Sequence, residues 1–254
     1  MKITLLGTGT SQGIPVVGCD CAVCKSNDPR DSRLRSGVLV EEGTTNILID
    51  TGPDLRYQML RSKVTRVDAI LYTHEHNDHI IGLDDIRPFN FAQKVDMPVY
   101  ALPRVSDELE ARFGYVFSKN HYPGAPRAIL NRIEDCGVFE AGGQLIQPIQ
   151  VMHGNLPILG YRIGDFAFIT DASYINDKNI AFLKDVKILV VNALRKEIHH
   201  SHFSLGQALS LIEQVKPQKA YITHLSHKMG LTRDWEKELP NNVFPSYDGL
   251  ELFI

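Results

Sequence analysis

The stretch from Tyr72 to His79, YTHEHNDH, places three histidines and one aspartate within six residues. Such a cluster is costly to keep unless something binds it, and the side chains are those that ligate transition metals. In an extended segment residues two apart face the same way, so His74 and His76 can share one ion. A turn at Asn77 would then aim Asp78 and His79 elsewhere, so two ions are expected. One loop cannot complete a coordination shell, and three further ligand types stand where partners are needed. His153 follows IQPIQVM, Asp171 follows FAFIT and His224 follows KAYIT, each the first polar ligand after an apolar, strand-like run. Any one of them alone reads as a capping or surface residue. Their repetition argues against coincidence.

A second cluster lies near the start of the chain. CDCAVC gives Cys19, Cys21 and Cys24, a C-x-C-x2-C spacing that can wrap one soft ion but leaves tetrahedral zinc one ligand short. The candidate fourth ligand is His227, three residues beyond His224, where a turn could aim one imidazole at the first site and the other outward. The alternative is a set of reactive or merely buried thiols beside an unrelated histidine. Cys136 has no partner in the sequence and reads as a small core residue.

Short β-branched segments must position these groups: residues 2–7, 36–42, 45–50, 67–73, 158–163, 166–170, 187–191, 219–223 and 250–254 read as strands. Pro53 opens a helical pattern over 53–63, and Ser204 is placed to cap another over 204–215. Hairpins come first, then alternating strands and helices, which suits a two-sheet core with helices outside or a three-layer α/β fold. The whole chain, 1–254, reads as one domain. Residues 87–130 break the rhythm with prolines and aromatics around a helix at 104–117, and read as an insertion over one face. That insertion is either a plain surface excursion or a lid or dimer contact.

Composition limits the rest. The 254 residues are 43% hydrophobic and 22% charged, with a formal net charge of −3. No Lys/Arg run exceeds two residues, so the broad basic face of a nucleic-acid binder is not expected. No apolar run approaches membrane-spanning length, the N-terminal apolar run is too short for a signal-peptide core, and cytoplasmic location is expected. In GTGTSQG the glycines follow G-x-G-x-x-x-G with Ile14-Pro15 after them, which is not a dinucleotide fingerprint; a tight loop bordering the metal site is the better reading.

His74-x-His76-x-Asp78-His79, followed in order by His153, Asp171 and His224, resembles the metallo-β-lactamase superfamily almost from end to end. The resemblance implies a four-layer αββα sandwich of two mixed β-sheets flanked by helices. It places His74, His76 and His153 on one metal, Asp78, His79 and His224 on the other, and Asp171 between them. Asp50, in ILIDTG, is implied to orient a ligand histidine. Flavodiiron oxidoreductases carry a glutamate where this chain has His76, while persulfide dioxygenases keep a similar motif with one iron. Cys19, Cys21, Cys24 and His227 beside a two-metal site resemble the PhnP-like cyclic phosphodiesterases, and a similar cysteine loop occurs in PqqB-like proteins. His202-x-Ser204-x-x-x-Ala208 is similar to the His-Ser-Thr stretch of the tRNase Z and PhnP branches, where the histidine approaches the phosphate. His199 and His200 read as loop decoration.

The expected function is hydrolysis of small phosphodiesters, cyclic ribose or nucleotide diesters among them, by a two-metal hydroxide mechanism. His202 and Asp78 are the expected catalytic residues. The expected ions are two divalent cations, Mn or Zn, at the catalytic pair and one structural Zn at the cysteines. The expected partners are a small substrate and a second copy of the chain, with neither long nucleic acid nor membrane. The competing readings are a tRNA 3′-processing nuclease, a PqqB-like or iron-dependent oxygenase, and a metal-binding module without catalysis.

Overall fold

In the strand Lys2–Gly7 (β1), Ile3 and Leu5 belong to one buried cluster and Leu6 to another, so both faces of the strand are covered. The same alternation recurs in the strands Gly37–Glu42 (β2), Thr45–Ile49 (β3) and Ala69–Leu71 (β4), where Val38, Ile47 and Leu71 face one cluster and Leu39, Leu48 and Ile70 the other. Strands buried on both faces lose the polar alternation of a solvated sheet, which is why these segments are apolar throughout. The computed structural model describes residues 1–120, 122–133 and 137–254. Cys136 lies outside them.

Met97–Ala101 (β5) and Ala128–Arg132 (β6) extend this first sheet. The second sheet takes Phe139–Ala141 (β7), Gln144–His153 (β8), Leu156–Ile163 (β9), Phe166–Ile169 (β10), Ile188–Asn192 (β11), Lys219–Thr223 (β12) and Val243–Pro245 (β13), and Leu250–Phe253 (β14) returns to the first. Each sheet has seven strands, ordered β14-β1-β2-β3-β4-β5-β6 and β13-β12-β11-β10-β9-β8-β7. Both are mixed: β3, β4, β5 and β6 run parallel, as do β10, β11, β12 and β13, and the remaining pairs are antiparallel.

The facing sides of the two sheets share a core in which Val40 and Ile49 meet Tyr161, Phe168 and Val190. Helices cover the outer faces. Leu55–Ser62 and Pro103–Arg112 pack on the first sheet through Leu55, Val105 and Leu109, and Leu205–Val215 packs on the second through Ala208, Leu211 and Ile212. The layers are therefore αββα, the metallo-β-lactamase fold. Ser204 caps the last helix as expected, in a reciprocal box with Gln207.

The 87–130 segment is not an insertion laid over the fold. It supplies β5 and β6, with Val99 pairing to Ile70 and Leu130, and three helices, Arg87–Gln93, Pro103–Arg112 and Gly114–Phe117. Pro98 lacks a ladder donor and argues against a central strand, yet β5 is central. Met97 and Val99 are fully buried and outweigh it. The expected 104–117 helix is two pieces, Pro103–Arg112 and Gly114–Phe117, broken at Phe113. No helix among the described residues is long and apolar enough to cross a membrane.

Two glycines let the site's loops touch. A Cβ on Gly82 would lie 2.1 Å from the Gly52 carbonyl oxygen, and one on Gly52 would lie 2.4 Å from that of Asp78. A Gly82→Ala variant must force these backbones apart, so it should lose about 1–3 kcal/mol of stability in a denaturant-unfolding experiment. An unchanged midpoint would contradict the tight contact.

Candidate metal centre

The candidate ligands stand at strand ends. Asp50 follows β3, His74 lies three residues past β4, His153 ends β8, Asp171 follows Thr170 beyond β10, and His224 follows β12. Asp50, Asp171 and His224 have left-handed backbones, with φ of 64°, 57° and 54°. That conformation costs a non-glycine residue about 1–2 kcal/mol, and it turns each chain sharply so that the side chain points into one site. The helix Asn77–Ile80 begins immediately after His76 and supplies the turn that separates Asp78 and His79 from the two preceding histidines.

Two groups of side chains result. His74 Nε2 lies 3.0 Å from His76 Nδ1, and the His153 ring sits 5.6 Å from that of His74 and 5.1 Å from that of His76. On the other side His79 Nε2 is 3.2 Å from Asp78 Oδ2, and the His224 ring stacks 5.9 Å from that of His79. Asp171 joins them: Oδ2 is 3.3 Å from His79 Nε2, and Oδ1 is 3.2 Å from His224 Nε2 and 3.1 Å from His202 Nε2.

The surrounding hydrogen bonds fix which ring nitrogen is free. Asp50 accepts from His79 Nδ1 at 2.7 Å and from the Thr73 hydroxyl at 2.9 Å, and the Thr73 oxygen in turn lies 3.0 Å from His74 Nδ1. One carboxylate thus orients two histidines, one directly and one through a hydroxyl. His153 Nδ1 donates to the carbonyls of Asp171 and Ser201, both at 2.8 Å. The Nε2 atoms of His74, His79 and His153 are left as lone-pair donors facing inward, as metal ligation requires.

Three features fit cations. His79 Nε2 is buried between the Asp78 and Asp171 carboxylates, 3.2 and 3.3 Å away, without a well-aligned hydrogen bond to either. His74 Nε2 and His76 Nδ1 lie 3.0 Å apart, close enough to face one ion together. Burial holds His74 well below the ordinary histidine range and His224 down to about 4, while their own burial fails to neutralise Asp78 and Asp171, which neighbouring imidazoles keep well below the carboxylate range. These are the protonation states a cation needs. His79 is the exception: burial opposes its charge, but Asp78, Asp171 and Asp50 raise it well above its usual value, so a proton stands where three carboxylates call for positive charge.

The cysteine cluster also closes. Cys19, Cys21 and Cys24 place their sulfurs 3.2, 3.5 and 3.6 Å from His227 Nδ1. The Cys24 amide donates to the Cys21 sulfur and, with neighbouring thiols, draws that thiol down to about 6; burial pushes Cys24 up to about 11. Three thiols and one imidazole within this radius could hold a structural zinc. His227 reaches it from the short turn His227–Met229, and Leu225 between the two histidines pairs with Thr8 and Thr10 of the N-terminal loop. The glycine-rich GTGTSQG stretch thereby borders the metal centre.

A β-lactamase superfamily domain matches residues 45–225. The solved structure of a diphosphatase from the PhnP family is 39% identical, with a TM-score of 0.92 over 99% of this chain and 97% of that one. The chain belongs to the PhnP family of metallo-β-lactamase-fold hydrolases. Another relative of this PhnP-family chain, the octanoyltransferase of Porphyromonas gingivalis, is 41% identical over all of it but over only 52% of that protein, so the chain spans about half of that relative's length. Zn2+-bound PqqB from Methylobacterium extorquens, 16% identical with a TM-score of 0.80 over the whole of both chains, shares the fold.

The sequence pattern did not reveal Thr73, Thr170 or His199. Thr170 donates to Asp171 Oδ2 at 2.7 Å, and His199 Nδ1 lies 3.3 Å from His202 Nδ1, so His199 is a neighbour of the site and not loop decoration alone. The His200 ring lies tilted against that of His199, with centroids 4.3 Å apart. Threonine directly before a ligand was the available signal, at Thr73, Thr170 and Thr223. An Asp50→Ala variant should weaken cation binding at the His/Asp centre by about 10–100-fold in a competition titration with a chromophoric chelator, and leave the cysteine cluster's ion in place. Unchanged affinity would contradict the orienting role of Asp50.

Proposed function

We propose that this PhnP-family hydrolase cleaves a phosphorus–oxygen bond in small phosphodiesters, using two divalent cations, Mn or Zn, with a third ion, Zn, held structurally by Cys19, Cys21, Cys24 and His227. The observation that carries the reading is the placement of Asp171, whose two oxygens face His79 on one side and His224 and His202 on the other. His74, His76 and His153 would hold one ion, Asp78, His79 and His224 the second, with Asp171 shared. Such ions, when bound, act as Lewis acids toward phosphoryl oxygens and make water a competent nucleophile near neutral pH.

The protein's own part begins with charge. Only Asp78 and Asp171 bring formal negative charge to the ligand set, so two divalent ions leave an excess of positive charge that favours an anionic phosphodiester. Asp50 and Thr73 lock the imidazoles before substrate arrives, so little reorganisation is needed during reaction. His202 stands at the edge of the site with its side chain 12% exposed, reachable from solvent yet held against Asp171. From there its Nε2–H can donate to a phosphoryl oxygen or protonate the departing alkoxide. The formal net charge of −3 favours a small substrate over a long nucleic acid.

A diphosphate bond is the second reading, favoured by the diphosphatase relative that matches 99% of this chain. Both substrates present a phosphorus with an anionic oxygen and a leaving oxygen, so the same residues would serve. The test is hydrolysis of a bis-aryl phosphodiester, a 2′,3′-cyclic nucleotide and a dinucleoside diphosphate by protein supplied with Mn2+ or Zn2+, alongside His202→Ala. Cleavage that falls by about 10²–10⁴-fold in the variant, with metal content unchanged, is expected. Full turnover in the variant would remove His202 from the mechanism, and no cleavage of any substrate by fully metallated protein would refute the reading.

A further inference from the structure

Of the seven His/Asp side chains at the centre, His76 is the one exposed to solvent; His74, His79, Asp171 and His224 are buried, and Asp78 and His153 are half-buried. A buried ligand is fixed by packing. His76 sits instead on a two-residue extended link between His74 and the helix Asn77–Ile80, with an N-cap backbone and no side-chain cap. Something else must fix it.

Its two sequence neighbours are both gripped by one helix. Arg104, in Pro103–Arg112, binds Glu75 with both arms of its guanidinium, Nε to Oε1 at 2.8 Å and Nη2 to Oε2 at 3.1 Å, and the same Nη2 donates to the Pro157 carbonyl at 2.9 Å. Arg112 donates to the Asn77 side-chain oxygen while pairing with Glu108 one turn back. Positions 104, 108 and 112 recur at every fourth residue, so the three charged groups share one helix face. The Glu75 side chain is only 14% exposed, which makes the pair less screened than an ordinary surface ion pair. Pro157 lies on β9, four residues after His153, so Arg104 ties the His74–His76 link to the element that follows the third ligand of the same group.

The geometry points to Arg104 as a positioning residue for the ion shared by His74, His76 and His153, with Glu75 as the handle it holds and Arg112 as a second grip on Asn77. The helix Pro103–Arg112 then acts as a clamp on the exposed ligand, with no contact of its own to substrate or ion. This rests on the two-metal reading of the centre. Asp50 and Thr73 orient His74 and His79 from beneath; among the described hydrogen bonds the His76 ring meets only His74, on the side that would face the ion.

The test is titration of metal-stripped protein with Co2+, read by its visible absorption, in which thiolate-bound and imidazole-bound ions give separable bands. Arg104→Met and Glu75→Gln should each weaken one imidazole-bound ion by about ten-fold, and the double variant should be no weaker than either single. The thiolate band reports in every sample that the fold has survived. Arg132→Met is the control: Arg132 pairs with Asp107 and Glu110 elsewhere on the same helix and has no contact with the link. It should leave every ion bound as in the parent. Equal affinity in Arg104→Met, additive losses in the double variant, or the same loss in Arg132→Met would overturn the clamp. A parent protein that takes up only the thiolate-bound Co2+ would instead overturn the two-metal reading, and the clamp with it.

Discussion

Imidazoles and carboxylates packed together inside an apolar fold carry a large desolvation penalty unless they hydrogen-bond, pair with one another or ligate a cation. His74, His79, Asp171 and His224 are all at most 2% exposed, and Asp50 behind them is 1% exposed. The architecture around them follows from that constraint. Two sheets buried on both faces provide parallel strands whose ends converge, and left-handed residues at three of those ends aim side chains into one volume. Thr73, Thr170, Asp50 and two main-chain carbonyls then occupy the outer ring nitrogens and carboxylate oxygens, so the lone pairs that remain point inward. The ligand set is pre-arranged by neutral and anionic partners, and cations at the candidate site would complete it.

The cysteine cluster extends the same logic to the N-terminal loop. That loop carries no long strand or helix between β1 and β2, only the short turn Pro29–Asp31. Its order comes from polar ties: Arg33, 3% exposed, donates to Thr8, Ser246 and Thr232, while Asp31 accepts from Thr232 and Asp248 from Thr8 and Leu34. An ion on Cys19, Cys21, Cys24 and His227 would fasten the free end of this loop to the turn that follows His224. The cysteine cluster and the His/Asp centre are joined through Leu225, whose N–H and carbonyl both pair with the loop, at Thr8 and Thr10.

Much of this was legible from residue types and spacing. Each apolar run ending in His or Asp proved to be a strand feeding the centre, and C-x-C-x2-C with a distant histidine met in space. Those signals survive in sequence because they combine a local period with a chemically rare residue. The 87–130 segment was misread for the opposite reason: Pro98 obscured a strand held by pairing with β4 and β6 and by long-range packing of Met97 and Val99. Arg104 and Glu75 are unremarkable in sequence, since a charged pair 29 positions apart carries no periodic signature. The contact of His199 with His202 was likewise hidden, because spacing within a loop does not determine which side chains fold back on one another.

In the proposed centre two cations share Asp171. Anomalous scattering from crystals of Mn2+-loaded protein tests it most directly. Two manganese peaks should flank Asp171, one bounded by His74, His76 and His153 and the other by Asp78, His79 and His224, with a separate zinc signal at the cysteine cluster. A single peak on one side of Asp171 at saturating Mn2+, or peaks that leave Asp171 without an ion on either oxygen, would contradict it.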